Sequence, residues 1–321
     1  MKVLANRVAW VVWAGVLGFM IALFGQGIWT ALISANLASG VAIPWAVPLM
    51  ALTLWPMWLY LDGRGWPRRL AETRHRYLRA NPLPGRVFAW AFLAGSLATG
   101  ALVGLWIVMA RLVRIPGSVL PDMSGIPPLT SALAVGMGAI ISPLLEQAGF
   151  WGYCQVMLEE KFSPAAAVLL TALIYSLGPH PGSVLVPRLI FYFLAGTIFG
   201  IMSFLTKSNL PGLLVHVLGI LAFFTLVWPN DPSRPLVSVS GADASFWLSA
   251  AAALIFAGLA IWTFFKLAKV TLQINTSPAH PQVNPARAAG VRLPFGHRRE
   301  DNQSRNAPPR AGPRSGTGRP S

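Results

Sequence analysis

Residues 8–34 read VAWVVWAGVLGFMIALFGQGIWTALIS, an apolar run of membrane length that contains no charged side chain. A bilayer core of about 30 Å needs about 20 apolar helical residues, so this run is long enough to span a membrane. It is also longer than the apolar region of a signal peptide, which usually has about 7 to 15 residues. We therefore predict a first transmembrane helix here.

The rest of the chain repeats this pattern. Seven further apolar segments of similar length follow, at residues 41–61, 87–110, 128–158, 163–179, 187–206, 209–228 and 246–268. The chain is 55% hydrophobic and 11% charged, with a mean hydropathy of +0.58. We predict an all-α polytopic membrane protein with about eight transmembrane helices in residues 1–270. Residues 271–321 are rich in Pro, Gly, Ser and Arg, a composition that predicts a disordered basic tail.

The net charge of +15 is concentrated outside the apolar segments. Seven arginines lie between Arg64 and Arg86, and eight more lie between Arg287 and Arg319. Such clusters set membrane topology and attract anionic lipid headgroups. We therefore predict a multi-pass protein with both termini in the cytoplasm, and no nucleic-acid partner. Arg111 and Arg114 fall on the opposite side in this topology, and we interpret them as snorkelling from a helix end.

Three ionisable residues, Glu146, His180 and His216, lie within an apolar segment or directly after one. A charge at membrane depth costs from about 2.5 to more than about 10 kcal/mol, so an intramembrane carboxylate with nearby imidazoles suggests a functional site. Each residue also has a structural interpretation: a protonated buried acid, a solvated loop histidine and an interhelical hydrogen bond, respectively. The combination of all three is more specific than any one of them.

The chemistry of this set has two versions. A carboxylate and an imidazole can deprotonate a water, while a second imidazole donates a hydrogen bond to the oxyanion formed at an amide carbonyl. Alternatively, Glu146, His180 and His216 are residue types that bind zinc. The only cysteine, Cys154, excludes an intramolecular disulfide and a cysteine-based zinc site. We expect no resident cofactor in the first version and zinc in the second.

The stretch EQAGFWG resembles the glutamate motif of the CAAX prenyl endopeptidases and their bacteriocin-processing relatives, the CPBP or abortive-infection family of intramembrane proteases. Glu146, Phe150 and Gly152 match that motif, His180 follows 34 residues later, and His216 lies two helices further on. The resemblance covers about residues 128–228. It implies that Glu146 and His180 activate water and that His216 forms part of the oxyanion hole. The expected activity is cleavage of a membrane-proximal bond in a membrane-associated peptide or protein.

The chain also departs from the family pattern at four positions. The motif has a second glutamate, an arginine, a phenylalanine and an asparagine or aspartate where this sequence has, in that order, Gln147, Trp151, Ser176 and Ile220. These departures support a second hypothesis, a catalytically impaired relative that binds a membrane peptide or protein as an immunity or scaffold factor. A proton-coupled transporter is a third hypothesis, but it predicts inverted repeats, and none is visible in the sequence.

Helix geometry makes a further prediction about the three residues. At a rise of about 1.5 Å per residue, Glu146, His180 and His216 lie roughly 18, 25 and 10 Å from the cytoplasmic ends of their helices. Straight helices would not bring them together. We expect tilt, a kink or break at Pro143 and the interruption at Gly178 and Pro179 to close the gap.

Glycine spacing points to close helix contacts elsewhere in the chain. Gly100 and Gly104 form one pair at the spacing of four residues that lets helices approach closely, and Gly196 and Gly200 form another.

Overall fold

The structure is a computed structural model that describes residues 2–40, 43–114, 126–178, 186–227, 229–230 and 234–276. Every regular element in these ranges is helical, which confirms the predicted all-α class. The α-helices are α1 (Lys2–Ala38), α2 (Ala46–Leu61), α3 (Ala71–Leu78), α4 (Gly85–Leu112), α5 (Pro128–Glu146), α6 (Gln155–Glu159), α7 (Pro164–Ser176), α8 (Val186–Thr206), α9 (Leu210–Ala222), α10 (Val237–Ser240) and α11 (Ala244–Thr276). The chain also has two π-helical stretches, Gln147–Cys154 and Phe223–Val227, and a short 3₁₀ helix at Arg68–Leu70.

Six helical segments in the described ranges are long and apolar enough to cross a membrane. They are Ala5–Ala38, Gly85–Leu112, Pro128–Glu159, Val186–Thr206, Leu210–Val227 and Ala244–Ile274. The predicted count of eight combines these six with two apolar helices that are shorter than a full span, α2 and α7. The chain is therefore an integral membrane protein with six full-length candidate spans, and the cytoplasmic position of its termini stays a prediction.

The carboxyl-terminal helix is longer than the sequence predicted. Helix α11 continues to Thr276, beyond the expected end of the helical domain at residue 270. The remaining part of the predicted basic tail, residues 277–321, lies outside the described residues.

The third candidate span carries Glu146 and changes its winding directly after it. Helix α5 passes Pro143 without ending, and the peptide N–H of Gln147 donates to the carbonyls of Pro143 and Leu144. The winding then becomes π-helical from Gln147 to Cys154, and every residue of this stretch is buried. Single π-helical turns inside α-helices are often found at functional sites. The expected break at Pro143 is thus replaced by a π-helical stretch that starts four residues later.

Helix α1 crosses this span at a contact between two glycines. A Cβ atom added to Gly149 would lie 2.5 Å from the carbonyl oxygen of Gly18, and one added to Gly18 would lie 3.0 Å from the carbonyl oxygen of Gly149. A side chain at either position would push the two backbones apart. Further along α1, Gly25 packs against the side chain of Leu145, so close contact continues to the level of Glu146.

Both glycine pairs noted in the sequence lie at helix contacts. A Cβ atom on Gly104 would lie 3.0 Å from Ala253 of α11, and one on Gly196 would lie 2.9 Å from Ala172 of α7. The small residues therefore let α4 approach α11, and α8 approach α7, as their spacing predicts.

Arg111 does not snorkel as interpreted from the sequence. Arg111 is only 3% exposed. The two terminal nitrogens of its guanidinium donate to the two carboxylate oxygens of Asp243, each at 3.1 Å. It also donates to the hydroxyl of Ser245 at 3.0 Å. A paired carboxylate and further acceptors bind the two terminal nitrogens of the guanidinium inside the protein, so these nitrogens need not reach for water.

We expect Asp243→Asn to lower the unfolding midpoint at neutral pH. Hydrogen bonds from Arg111 first, then from the Phe246 N–H and the Ser245 hydroxyl, hold the pKa of Asp243 well below its usual range. The ionised form therefore stabilises the fold above about pH 4, the ordinary pKa of aspartate, and this contribution is lost as the pH falls towards the lowered value. Thermal unfolding in detergent between about pH 7 and pH 3 measures the effect. A difference between native and variant protein that stays constant over this range would contradict it.

Candidate active site

The carboxylate of Glu146 is buried and held by three donors from three helices. Glu146 is 6% exposed. Its Oε1 accepts hydrogen bonds from the hydroxyl of Ser142 at 2.5 Å and from the side-chain amide of Gln26 at 3.1 Å. Its Oε2 accepts a hydrogen bond from the phenol of Tyr175 at 2.8 Å. The acid predicted from the sequence thus lies in a polar pocket built by α1, α5 and α7.

His216 lies beside this carboxylate. Its Nε2 is 3.8 Å from Oε2 of Glu146, and the residue is 7% exposed. The imidazole ring stacks on Phe199 of α8, with ring centroids 4.6 Å apart and an angle of 26° between the planes. This packing fixes the orientation of the ring towards the acid.

The structure closes the gap that straight helices would leave between these two residues. Helix α9 packs directly on the span that carries Glu146. A Cβ atom on Gly212 would lie 3.1 Å from the side-chain oxygen of Gln147, so the first turn of α9 touches the residue after the acid. His216 follows Gly212 by four residues and lies on the same helix face. The close contact at Gly212 therefore brings His216 to Glu146.

The third predicted residue, His180, lies outside the described residues. The zinc hypothesis needs three protein ligands at a catalytic site. Glu146 and His216 supply two side chains of the right type, and the described part of the chain holds no group of three or more His, Cys, Asp or Glu side chains placed for a metal. The zinc-binding version of the site stays a prediction.

Trp151 occupies the place of the motif arginine and acts as a packing residue. It is fully buried, and its indole N–H donates to the carbonyl oxygen of Gly196 at 2.9 Å. Its ring contacts Tyr175, Phe199 and His216 at centroid distances of 4.9, 5.1 and 5.9 Å. An aromatic wall therefore stands where the family pattern has a guanidinium.

The other departures also have structural positions. Gln147 is 2% exposed, and its side-chain nitrogen has no hydrogen-bond partner within the described residues. The hydroxyl of Ser176 donates to the carbonyl of Leu173 in its own helix at 2.8 Å, and Ile220 is half-buried. Asn209, which the sequence did not single out, donates its side-chain amide to the backbone carbonyls of Leu78 and Gln147. The residue after Glu146 is thus anchored through its backbone.

Comparison with known proteins finds a family whose model matches part of the chain. Residues 128–222 match the Rce1-like family, described as type II CAAX prenyl endopeptidase Rce1-like. The match is consistent with the CPBP family, which confirms the resemblance seen in the Glu146 motif. It includes Glu146, Tyr175 and His216, and it supports a function of the CAAX-type intramembrane protease kind. Comparison with curated proteins and with solved structures gives no match.

Three residues around the acid were missed in the sequence. Ser142 precedes Glu146 by four residues, a spacing that places two side chains on one helix face. The sequence alone could therefore have predicted this contact. Tyr175 directly precedes Ser176, a position at which the chain departs from the family pattern. Gln26 is an uncharged polar residue inside the first apolar run, which is only a weak sign of function. Its hydrogen-bond partner, Glu146, lies 120 residues away in the sequence.

Proposed function

We propose that the chain is a CPBP-type intramembrane endopeptidase that cleaves a membrane-proximal peptide bond with a water activated at Glu146. The observation that supports this most strongly is the buried pair of Glu146 and His216, with 3.8 Å between carboxylate and imidazole. One water can contact both groups at this separation, and acid-base partners often act through one water.

In the proposed reaction, Glu146 accepts a proton from the water as the water oxygen attacks the carbonyl carbon. The carbonyl oxygen becomes an oxyanion, and the Nε2–H of His216 donates a hydrogen bond to it. The proton held by Glu146 then passes to the amide nitrogen, the C–N bond breaks, and a carboxylic acid and an amine are released. His180 would assist Glu146 in activating the water, as the family resemblance implies. In the zinc version, the metal would polarise the water and the carbonyl when bound.

The proposed substrate is a membrane-associated peptide or protein, because the site lies within the candidate spans. The proposed lipid contacts involve the basic segment between α2 and α4. Arg64, Arg68 and Arg69 are exposed there, and Trp66 beside them is 85% exposed. Arginines with a neighbouring tryptophan suit an interface with anionic headgroups. The basic tail would add to this attraction, and both termini would face the cytoplasm.

His216→Ala should lower cleavage by about 10²- to 10³-fold, the usual cost of removing one oxyanion donor. The purified chain in liposomes would be incubated with peptides that end in a CAAX sequence, both prenylated and unmodified, and fragments identified by mass spectrometry. His75→Ala provides the matched control, because His75 is exposed and pairs with Asp62 and not with Glu146. Equal loss of cleavage in both variants would contradict the role of His216.

The second candidate function is a catalytically impaired relative that binds a membrane peptide or protein. The burial of Trp151 in the position of the motif arginine favours it, because position 151 then supplies no guanidinium to pair with a carboxylate. The same assay separates the two functions. The impaired relative predicts no cleavage by the native chain, and cleavage after Gln147→Glu, Trp151→Arg and Ile220→Asn are combined.

A further inference from the structure

We propose that Gln26 of α1 is a positioning residue of the candidate active site and holds the carboxylate of Glu146 in its working orientation. The side-chain nitrogen of Gln26 donates to Oε1 of Glu146 at 3.1 Å and to the hydroxyl of Ser142 at 3.3 Å. Ser142 in turn donates to the same Oε1 at 2.5 Å. Gln26 therefore closes a ring of hydrogen bonds around one oxygen of the acid.

This arrangement leaves the two carboxylate oxygens in different surroundings. Oε1 takes the two donors from Gln26 and Ser142, whereas Oε2 takes Tyr175 and lies towards His216. Rotation of the carboxylate would break bonds on both oxygens, so the oxygen that lies towards the imidazole is fixed. A neutral amide suits this role in a membrane, because it donates without placing a second charge near the acid.

The position of Gln26 follows from the way α1 packs. The crossing of Gly18 and Gly149 brings the two backbones together, and Gly25 against Leu145 keeps them close at the next level. Gln26 directly follows Gly25 and so reaches the acid across the interface. Helix α1 lies outside the segment that matches the family, residues 128–222, so the match does not assign this residue.

The inference rests on the proposed function only for the predicted effect of Gln26 on turnover. The hydrogen bond between Gln26 and Glu146 can be tested separately, by measuring the stability of the folded protein. In a double-mutant cycle, Gln26→Met should lower the folded-to-unfolded ratio of the native chain about three- to tenfold, the usual range for interhelical hydrogen bonds in membranes. In the Glu146→Leu background the same change should have an effect within about twofold. If Glu146→Leu does not fold, Glu146→Gln takes its place in the double-mutant cycle, because its amide oxygen is a neutral and therefore weaker acceptor. Equal effects in both backgrounds overturn the inference.

Turnover provides the second measurement. With peptide substrates, Gln26→Met should lower kcat about ten- to hundredfold and leave KM within about twofold, because a misoriented base slows the chemical step more than binding. Phe24→Leu is the control on the same helix, since Phe24 is 62% exposed and lies two residues away. An unchanged kcat in Gln26→Met overturns the positioning role. If the native chain cleaves nothing, the proposed endopeptidase function fails, and the stability cycle alone decides the inference.

Discussion

Glu146→Gln should reduce peptide cleavage by about 10²- to 10⁴-fold, the usual contribution of a general base. The substitution keeps the size of the side chain and an oxygen that accepts from Ser142, Gln26 or Tyr175. It removes the charge and the ability to accept a proton from water. Because the fold around the residue is retained, the loss of rate would report on chemistry. Initial rates of fragment release in liposomes, with thermal unfolding of the same preparations, provide the measurement.

The matched control is Glu160→Gln. Glu160 follows the end of the same span, and it is exposed and paired with Arg76. Its replacement removes one carboxylate from the same region of the chain without touching the candidate site, so cleavage should continue at the native rate. Cleavage by Glu146→Gln at the rate of Glu160→Gln would refute the assignment of Glu146 as the base.

The sequence identified Glu146 and His216 because burying an ionisable group in a membrane needs compensation. That argument depends only on the local composition of each segment, and the structure brings the two residues together. The sequence did not identify Gln26, because a single neutral polar residue in an apolar run carries no comparable penalty. Its role depends on a contact between α1 and α5, which local patterns do not encode.

The same limit applies to the distance between Glu146 and His216. Counting residues along straight helices ignores the contact of Gly212 with Gln147, which sets how α9 meets the third span. Arg111 was misinterpreted for a similar reason. Its partner, Asp243, is 132 residues away in the sequence. Without knowledge of that partner, an arginine near a helix end is interpreted as a residue at the membrane interface. Composition was enough to predict that the chain is helical and spans a membrane. Which side chains contact each other could be determined only from the fold.

The second large effect is predicted for Trp151, where the chain departs from the family pattern. Trp151→Ala should destabilise the protein by about 3 to 5 kcal/mol, the range for truncating a large buried aromatic side chain. The indole fills the space between Tyr175, Phe199 and His216, and a small side chain would leave a cavity there. The loss of contacts matters in a membrane as well, since helix association there depends on packing. Unfolding in mixed detergent micelles would measure the change in free energy.

Trp13→Ala separates packing from the general loss of a tryptophan. Trp13 lies on α1 and is 57% exposed, so it faces lipid in the folded protein and its removal should cost less than about 0.5 kcal/mol. Trp151→Phe should lie between the two, because it keeps most of the ring but loses the hydrogen bond to Gly196. If Trp151→Ala were no more destabilising than Trp13→Ala, the indole would not be a packing element of the site. The ordered series would instead show that the indole packs as an aromatic wall behind His216, at the position where the family pattern has an arginine.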